Sequence, residues 1–135
     1  MTFTHSRMVY LSDTDAAGVV YFATGLQMCH EAYEASLDSV GISLQQFLAE
    51  GKIAIPIVHA AIDFLRPLHC GDKLQINLIT TRLKDSEFAI AYQIVSVSEP
   101  NKVLVKANTR HVCIDPQART RIELPDAIAQ WLDKI

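Results

Sequence analysis

The chain has 135 residues, half of them hydrophobic and a fifth charged, an ordinary globular composition that excludes a disordered or low-complexity chain. Its formal net charge is −3 and its isoelectric point about 5.9, so it lacks the basic excess typical of a nucleic-acid-binding protein. Three cysteines lie far apart in the sequence and form no metal-ligand spacing: Cys29, Cys70 and Cys113. No apolar run is long enough to span a membrane. We therefore expect one domain over residues 1–135, located in the reducing cytoplasm and without a metal site.

The first third of the chain predicts one short strand and two helices. Residues 7–11 have strand composition, and the polar residues 12–15 form a turn cluster. Thr24 with Gln27 has the spacing of a capping box, which predicts a helix start there. Apolar residues then recur at helical spacing as far as Gly41, which suits a left-handed helix end. Ser43 and Gln46 repeat the capping pattern and open a short second helix that stops near Gly51.

From residue 53 onward the hydrophobic period changes from helical to alternating. Residues 73–78 alternate polar and apolar, and two later segments place their apolar residues on one face: Phe88, Ile90, Tyr92 and Ile94, then Val103, Val105, Ala107, Thr109, His111 and Cys113. Short turns join these segments, so neighbouring strands must be antiparallel. Pro125 suits the start of a final short helix. The predicted fold is α+β, one long helix covering a curved antiparallel sheet, with a sheet surface left over for a partner subunit.

The segment most suggestive of chemistry joins the first strand to the long helix. Asp13 and Asp15 stand two residues apart, just before the apolar run that leads into the helix. A carboxylate near a helix N-terminus, where unpaired N–H groups favour negative charge, suits hydrolysis of an activated acyl group. The alternative is structural, because aspartates in turns commonly bond only to the local backbone. The spacing alone does not decide between the two.

The residues from Asp13 to Phe22, DTDAAGVVYF, resemble the active-site signature of the 4-hydroxybenzoyl-CoA thioesterase family, a branch of the hotdog-fold thioesterases. Weaker similarities follow at residues 56–58, 63–67 and 71–72, and the element order agrees over nearly the whole chain. The resemblance implies a hotdog fold and hydrolysis of an acyl-CoA thioester, with no metal or redox cofactor. It also implies a dimer that joins two sheets edge to edge, paired again into a tetramer, with each active site between subunits.

Carried over by position, the resemblance assigns Asp15 as the catalytic carboxylate and Gly18 as the glycine of the tight turn beside the substrate. The backbone N–H of Phe22 falls where the thioester carbonyl is polarised. Many relatives have histidine at position 22 and an aromatic residue at position 25, where this chain has Phe22 and Gly25. The mechanism implied by an aspartate and a backbone N–H needs neither side chain.

Further candidates concern substrate binding. His59 lies in the region that lines the acyl pocket in the family, and a buried structural histidine is the alternative. The phosphates of coenzyme A call for basic residues at the pocket mouth, for which the candidates are Arg66, Arg82, Lys84 and Arg121. Glu31 on the long helix is more simply a solvated residue than a catalytic acid.

Small residues near the expected pocket leave room for a flat bicyclic acyl group: Ala16, Ala17, Ala54, Ala60 and Ala61. The leading expectation is therefore an aromatic acyl-CoA thioesterase. The alternatives are a broader benzoyl- or short-chain acyl-CoA thioesterase and a non-catalytic acyl-CoA-binding module of the same fold. A dehydratase is disfavoured, because His30 directly precedes Glu31 instead of standing at the helical spacing expected for water elimination.

Overall fold

A computed structural model describes residues 2–135, which form one five-stranded antiparallel sheet, a two-stranded ribbon and three α-helices. The elements in chain order are β1 (Phe3–Met8), α1 (Phe22–Ser39), α2 (Leu44–Glu50), β2 (Ile57–Phe64), β3 (Lys73–Lys84), β4 (Glu87–Ser96), β5 (Val103–Val112), β6 (Ile114–Asp115), β7 (Thr120–Arg121) and α3 (Asp126–Lys134). A single 3₁₀ turn at Leu11–Asp13 follows β1. The α+β architecture predicted from the sequence is confirmed.

The strand order in the main sheet is β1-β3-β4-β5-β2, so β1 and β2 are its edges. The alternation predicted for β4 and β5 holds, because Ile90 pairs with Thr109 and Tyr92 with Ala107, and all four are buried under the helices. The side of α1 that faces the sheet buries Met28, Cys29, Ala32, Tyr33 and Leu37. The edge strand β2 is mostly exposed, with Ile57, Val58 and Phe64 each more than a third accessible.

The element ends differ from the sequence prediction mainly at the N-terminal side. The first strand is Phe3–Met8 instead of residues 7–11, and α1 begins at Phe22, so Thr24 lies inside the helix. The later helix ends are as predicted: Gly41 follows α1 with a φ of 83°, and the Ser43 side chain accepts a hydrogen bond from the Gln46 N–H at the start of α2. Within residues 2–135 no helix has the length and apolar character needed to cross a membrane.

Candidate active site

Asp15 lies in a small hairpin loop between the 3₁₀ turn and α1. The Asp15 N–H donates to Val19 O at 2.9 Å, and the Gly18 N–H donates to Asp15 O at 3.0 Å. Gly18 has a φ of 81°, a left-handed conformation that a residue with a Cβ adopts only under strain, whereas the space around it is open. The Val20 N–H donates to Leu68 O at 2.9 Å, which fastens the loop to the segment after β2. The backbone therefore holds Asp15 in a fixed position.

The carboxylate of Asp15 is exposed and only partly engaged. Its Oδ1 accepts a hydrogen bond from the Ala17 N–H at 2.9 Å, the local turn bond that a purely structural aspartate would also make. Oδ2 makes no hydrogen bond to any of residues 2–135. One carboxylate oxygen is therefore free to act on a water molecule or an acyl carbon.

The N-terminus of α1 follows the loop directly. The Tyr21 N–H donates to Asp13 O at 2.9 Å, so the chain enters the helix beside the base of the hairpin that carries Asp15. Phe22 is the first residue of α1, and the N–H of a first helical residue has no acceptor within its helix. This N–H, together with the positive end of the helix dipole, can stabilise negative charge on an oxygen beside it.

Asp13, the other acid of the pair, is buried and has a structural role. Arg7 on β1 donates from both terminal nitrogens to the Asp13 carboxylate, at 2.7 and 3.1 Å, and from Nε to Glu31 on α1 at 2.6 Å. The guanidinium holds the pKa of Asp13 below its ordinary value, and the two carboxylates raise the pKa of Arg7. Glu31 is thus half-buried in an ion pair instead of solvated. A lone arginine on a strand gave no sequence signal of this cluster.

A cavity of about 290 Å³ opens beside the start of α1. Phe22 lines it together with Val19 and Val20 from the loop and residues 64–68 from the end of β2 and the segment after it. Arg66 is exposed and is the positively charged residue among those that line this cavity. Of the four basic candidates, Arg66 is therefore the one that the fold brings next to Phe22.

The other basic candidates lie at the opposite end of the sheet. Arg82 and Lys84 are at the end of β3, whereas the Asp15 loop contacts Leu68 and His69, a few residues before the beginning of β3. From Lys73 to Arg82 a strand rises about 30 Å. Arg121 on β7 is close to the same end as Arg82, where it donates to the buried carboxylate of Glu87 at 3.0 Å.

His59 is on the edge strand β2 and is exposed. Its register partner Arg110 is also exposed, whereas the next pair, Ala60 and Thr109, faces the helix layer. Within one chain, His59 therefore lies on the sheet face turned away from α1. It does not line the cavity beside Phe22.

A larger cavity, of about 640 Å³, lies between the second half of α1, α2 and the segment before β2. Its walls are mainly apolar, and neither Phe22 nor the Asp15 loop lines it. Size alone therefore does not locate the site, and the arrangement of Asp15 and the helix N-terminus is the better guide to chemistry.

A long helix packed against an antiparallel sheet, with a carboxylate in the loop that leads into that helix, is the arrangement of a hotdog-fold protein of the thioesterase class. The sequence matches the Thioesterase-like superfamily over residues 9–132. The chain belongs to this superfamily. The narrower 4-hydroxybenzoyl-CoA family suggested by the motif is a finer division than this match.

Individual relatives are similar over nearly their whole length. The 1,4-dihydroxy-2-naphthoyl-CoA hydrolase of Gloeothece citriformis is 57% identical over 96% of this chain and 90% of its own. The enzyme of the same name from Rippkaea orientalis is 54% identical over 95% and 93% of the two chains. The crystal structure of Slr0204, a 1,4-dihydroxy-2-naphthoyl-CoA thioesterase from Synechocystis, superposes with a TM-score of 0.95 at 45% identity, covering 100% of this chain and 98% of that one.

Proposed function

We propose that this protein hydrolyses 1,4-dihydroxy-2-naphthoyl-CoA to 1,4-dihydroxy-2-naphthoate and coenzyme A, in the cytoplasm, as a step of phylloquinone biosynthesis. The observation that supports the chemistry is the Asp15 carboxylate, whose Oδ2 makes no hydrogen bond to residues 2–135, in the loop that leads into the N-terminus of α1. The relatives named above, which share about half of their residues with this chain, support the choice of acyl group.

In the proposed reaction the thioester carbonyl oxygen accepts a hydrogen bond from the Phe22 N–H. Asp15 either attacks the carbonyl carbon or takes a proton from a water molecule that attacks it. If Asp15 attacks, the anhydride that it forms with the acyl group is then hydrolysed by water. By either route a C–O bond to the water oxygen forms, the C–S bond breaks, and the departing thiolate of coenzyme A takes up a proton from that water. Water is the only co-reactant, and the proposal includes no metal or redox cofactor.

We also propose that the active site is completed by a second copy of the chain. Asp15 and the Arg82–Lys84 hairpin are separated by about 30 Å along β3, so one substrate cannot reach both within a single chain. Pairing of two exposed β2 edges in antiparallel fashion brings the hairpin end of one sheet towards the Asp15 end of the other. In this dimer Arg66 of the chain that holds Asp15, and Arg82, Lys84 and Arg121 of its neighbour, are the cations available to the phosphates. His59, on the joined edge, also approaches the neighbouring site.

The experiment that tests the activity is release of free thiol from a panel of acyl-CoA thioesters. The panel contains dihydroxynaphthoyl-, hydroxybenzoyl-, benzoyl-, hydroxyphenylacetyl- and medium-chain fatty acyl-CoA. We expect kcat/KM to be highest for the dihydroxynaphthoyl thioester by at least about tenfold. Comparable rates across the panel would favour the broader thioesterase. Tight binding without thiol release from any member would instead favour the acyl-CoA-binding module.

A further inference from the structure

A third cavity, of about 490 Å³, lies between α1 and β2 one helical turn beyond Phe22. On α1 its wall contains Leu26 and His30, which continue the i, i+4 row that begins at Phe22. Four helical residues rise about 6 Å. A naphthoyl group whose carbonyl carbon lies at the Phe22 N–H and which follows α1 therefore has position 4 of its thioester-bearing ring, and the edge of its second ring, at the level of this cavity.

Two side chains of β2 mark the border between this cavity and the one at Phe22. A Cβ on Gly25 would lie 2.8 Å from both Ile62 Cδ1 and Phe64 Cζ, so these side chains touch the helix backbone between Phe22 and Leu26. Phe64 also lines the cavity at Phe22. Without a side chain at Gly25, the ring of Phe64 fills the space that an aromatic residue at position 25 would take.

The sheet side of this third cavity is polar. Tyr92 on β4 and Thr109 on β5 line it, and both are almost completely buried. Thr109 Oγ1 lies 2.8 Å from His111 Nε2 and 3.4 Å from the Tyr92 hydroxyl oxygen. His111 is fully buried, and its Nδ1 has no hydrogen-bond partner among residues 2–135.

The directions of these hydrogen bonds follow from the unpaired Nδ1. Burial lowers the pKa of His111 to about 4, so the ring is neutral and carries one proton at physiological pH. A buried N–H donor without an acceptor is rarer than a buried acceptor without a donor, which places the proton on Nε2. Nε2–H then donates to Thr109 Oγ1, and the hydroxyl proton of Thr109 points to the Tyr92 oxygen. The hydroxyl proton of Tyr92 is left without an acceptor.

Most of the other polar groups around the cavity already have partners. His30 Nδ1 lies 2.8 Å from Glu34 Oε2, and Glu31 is paired with Arg7. Gln27 is exposed at the rim. The buried Tyr92 hydroxyl is therefore a donor without an acceptor among residues 2–135 at the floor of this cavity, to which Ile57 and Ala60 contribute apolar surface from β2.

We propose that Tyr92 determines specificity for a hydroxylated aromatic acyl group by donating a hydrogen bond to the ring oxygen remote from the thioester. The Thr109–His111 pair orients the Tyr92 hydroxyl. This inference rests on the proposed function for the position of the acyl carbonyl. It adds the Tyr92 hydroxyl as the group that hydrogen-bonds to the ring hydroxyl of the substrate.

The test compares Tyr92→Phe with the wild-type protein on naphthoyl-CoA thioesters that carry or lack the 4-hydroxyl. Tyr92→Phe removes one oxygen, so the preference in kcat/KM for the 4-hydroxylated thioester should fall at least about tenfold, with little change for 2-naphthoyl-CoA. The matched control is Tyr33→Phe, the same change in a buried tyrosine that contacts His111 but does not line this cavity. Thr109→Val should reduce the preference and Thr109→Ser should restore it.

A second measurement separates failure of this inference from failure of the proposed activity. Calorimetry gives Kd for non-hydrolysable CoA analogues in which a methylene separates the naphthoyl carbonyl carbon from sulfur, with and without the 4-hydroxyl. Tighter binding of the hydroxylated analogue that disappears in Tyr92→Phe supports the role of Tyr92 even if no thioester is hydrolysed. A hydroxyl preference that is absent in the wild type, or that survives in Tyr92→Phe, overturns it.

Discussion

Asp13 and Asp15 have the same side chain but opposite environments, and this difference predicts opposite effects of substitution. Asp15 is exposed, and in Asp15→Asn the side-chain amide would keep an oxygen for the Ala17 N–H. We expect this substitution to lower kcat by at least about a hundredfold, because an amide neither attacks an acyl carbon nor accepts a proton from water. The melting temperature and the Kd of a non-hydrolysable analogue should stay close to those of the wild type. Near-normal turnover of a folded Asp15→Asn protein would exclude Asp15 from catalysis.

Asp13→Asn is the matched control at the same scale. It removes a buried charge that binds both terminal nitrogens of Arg7. We expect it to lower the free energy of unfolding by about 1–3 kcal/mol, because an amide replaces one partner of a largely buried ion pair. Its effect on kcat should be much smaller than that of Asp15→Asn. Equal losses of activity in the two variants would contradict this division of roles.

At the scale of elements, His111 lies where β5 packs under α1 and α3. Its ring stacks on Phe88 at 4.6 Å and lies 4.8 Å from Tyr33, and its pKa is lowered from 6.5 to about 4, chiefly by burial and secondarily by His30. The unfolded chain therefore binds a proton between pH 6.5 and 4 that the folded chain excludes. Proton binding by the unfolded chain therefore lowers the free energy of unfolding as the pH falls from 6.5 towards 4, whereas above pH 6.5 the stability is not reduced in this way. We expect about 2–3 kcal/mol of loss in urea unfolding between pH 7.5 and 4.5.

The control for this pH dependence is His111→Gln, which cannot titrate in this range. Its free energy of unfolding should change with pH much less than that of the wild type, whatever its absolute stability. The lowered pKa of Asp13 acts in a different window, because its stabilising effect is lost only as the pH falls below about 4. Parallel curves for the wild type and His111→Gln would show that His111 is not the group responsible.

The elements that the sequence predicts well are those whose hydrophobic period directly reports burial. The alternation of β4 and β5 and the left-handed Gly41 after α1 are examples. The predicted start of α1 was wrong, because tertiary hydrogen bonds fix it: Tyr21 is tied to Asp13 and Val20 to Leu68, with no side-chain cap. The contact between Tyr92 and Thr109 requires the register of two strands, which a single sequence does not contain.

At the scale of the whole molecule, the positions of the predicted site residues depend on where each strand ends. The motif resemblance selected Asp15 from the acidic pair, and the phosphates of coenzyme A suggested the hairpin cations; the structure places the two at opposite ends of β3. Arg66 was ranked with the other basic residues, although the fold places it beside Phe22. Spacing along the chain does not predict such distances, because antiparallel strands return the chain to either end of the sheet. The proposed dimer, in which two sheets join through their exposed β2 edges, would bring Asp15 of one chain near the hairpin cations of the other.

A shared active site predicts that two differently damaged subunits restore each other. One variant is Asp15→Asn, and the other is Arg82→Glu with Lys84→Glu, which reverses charge at the hairpin. In a mixed dimer, Asp15 of the second variant meets the intact hairpin of the first, so random mixing leaves about a quarter of all sites intact. After joint refolding, kcat/KM at low substrate concentration should rise well above that of either variant alone, and each variant refolded by itself is the control. If the site were contained in one chain, every site would carry a defect and mixing would restore nothing.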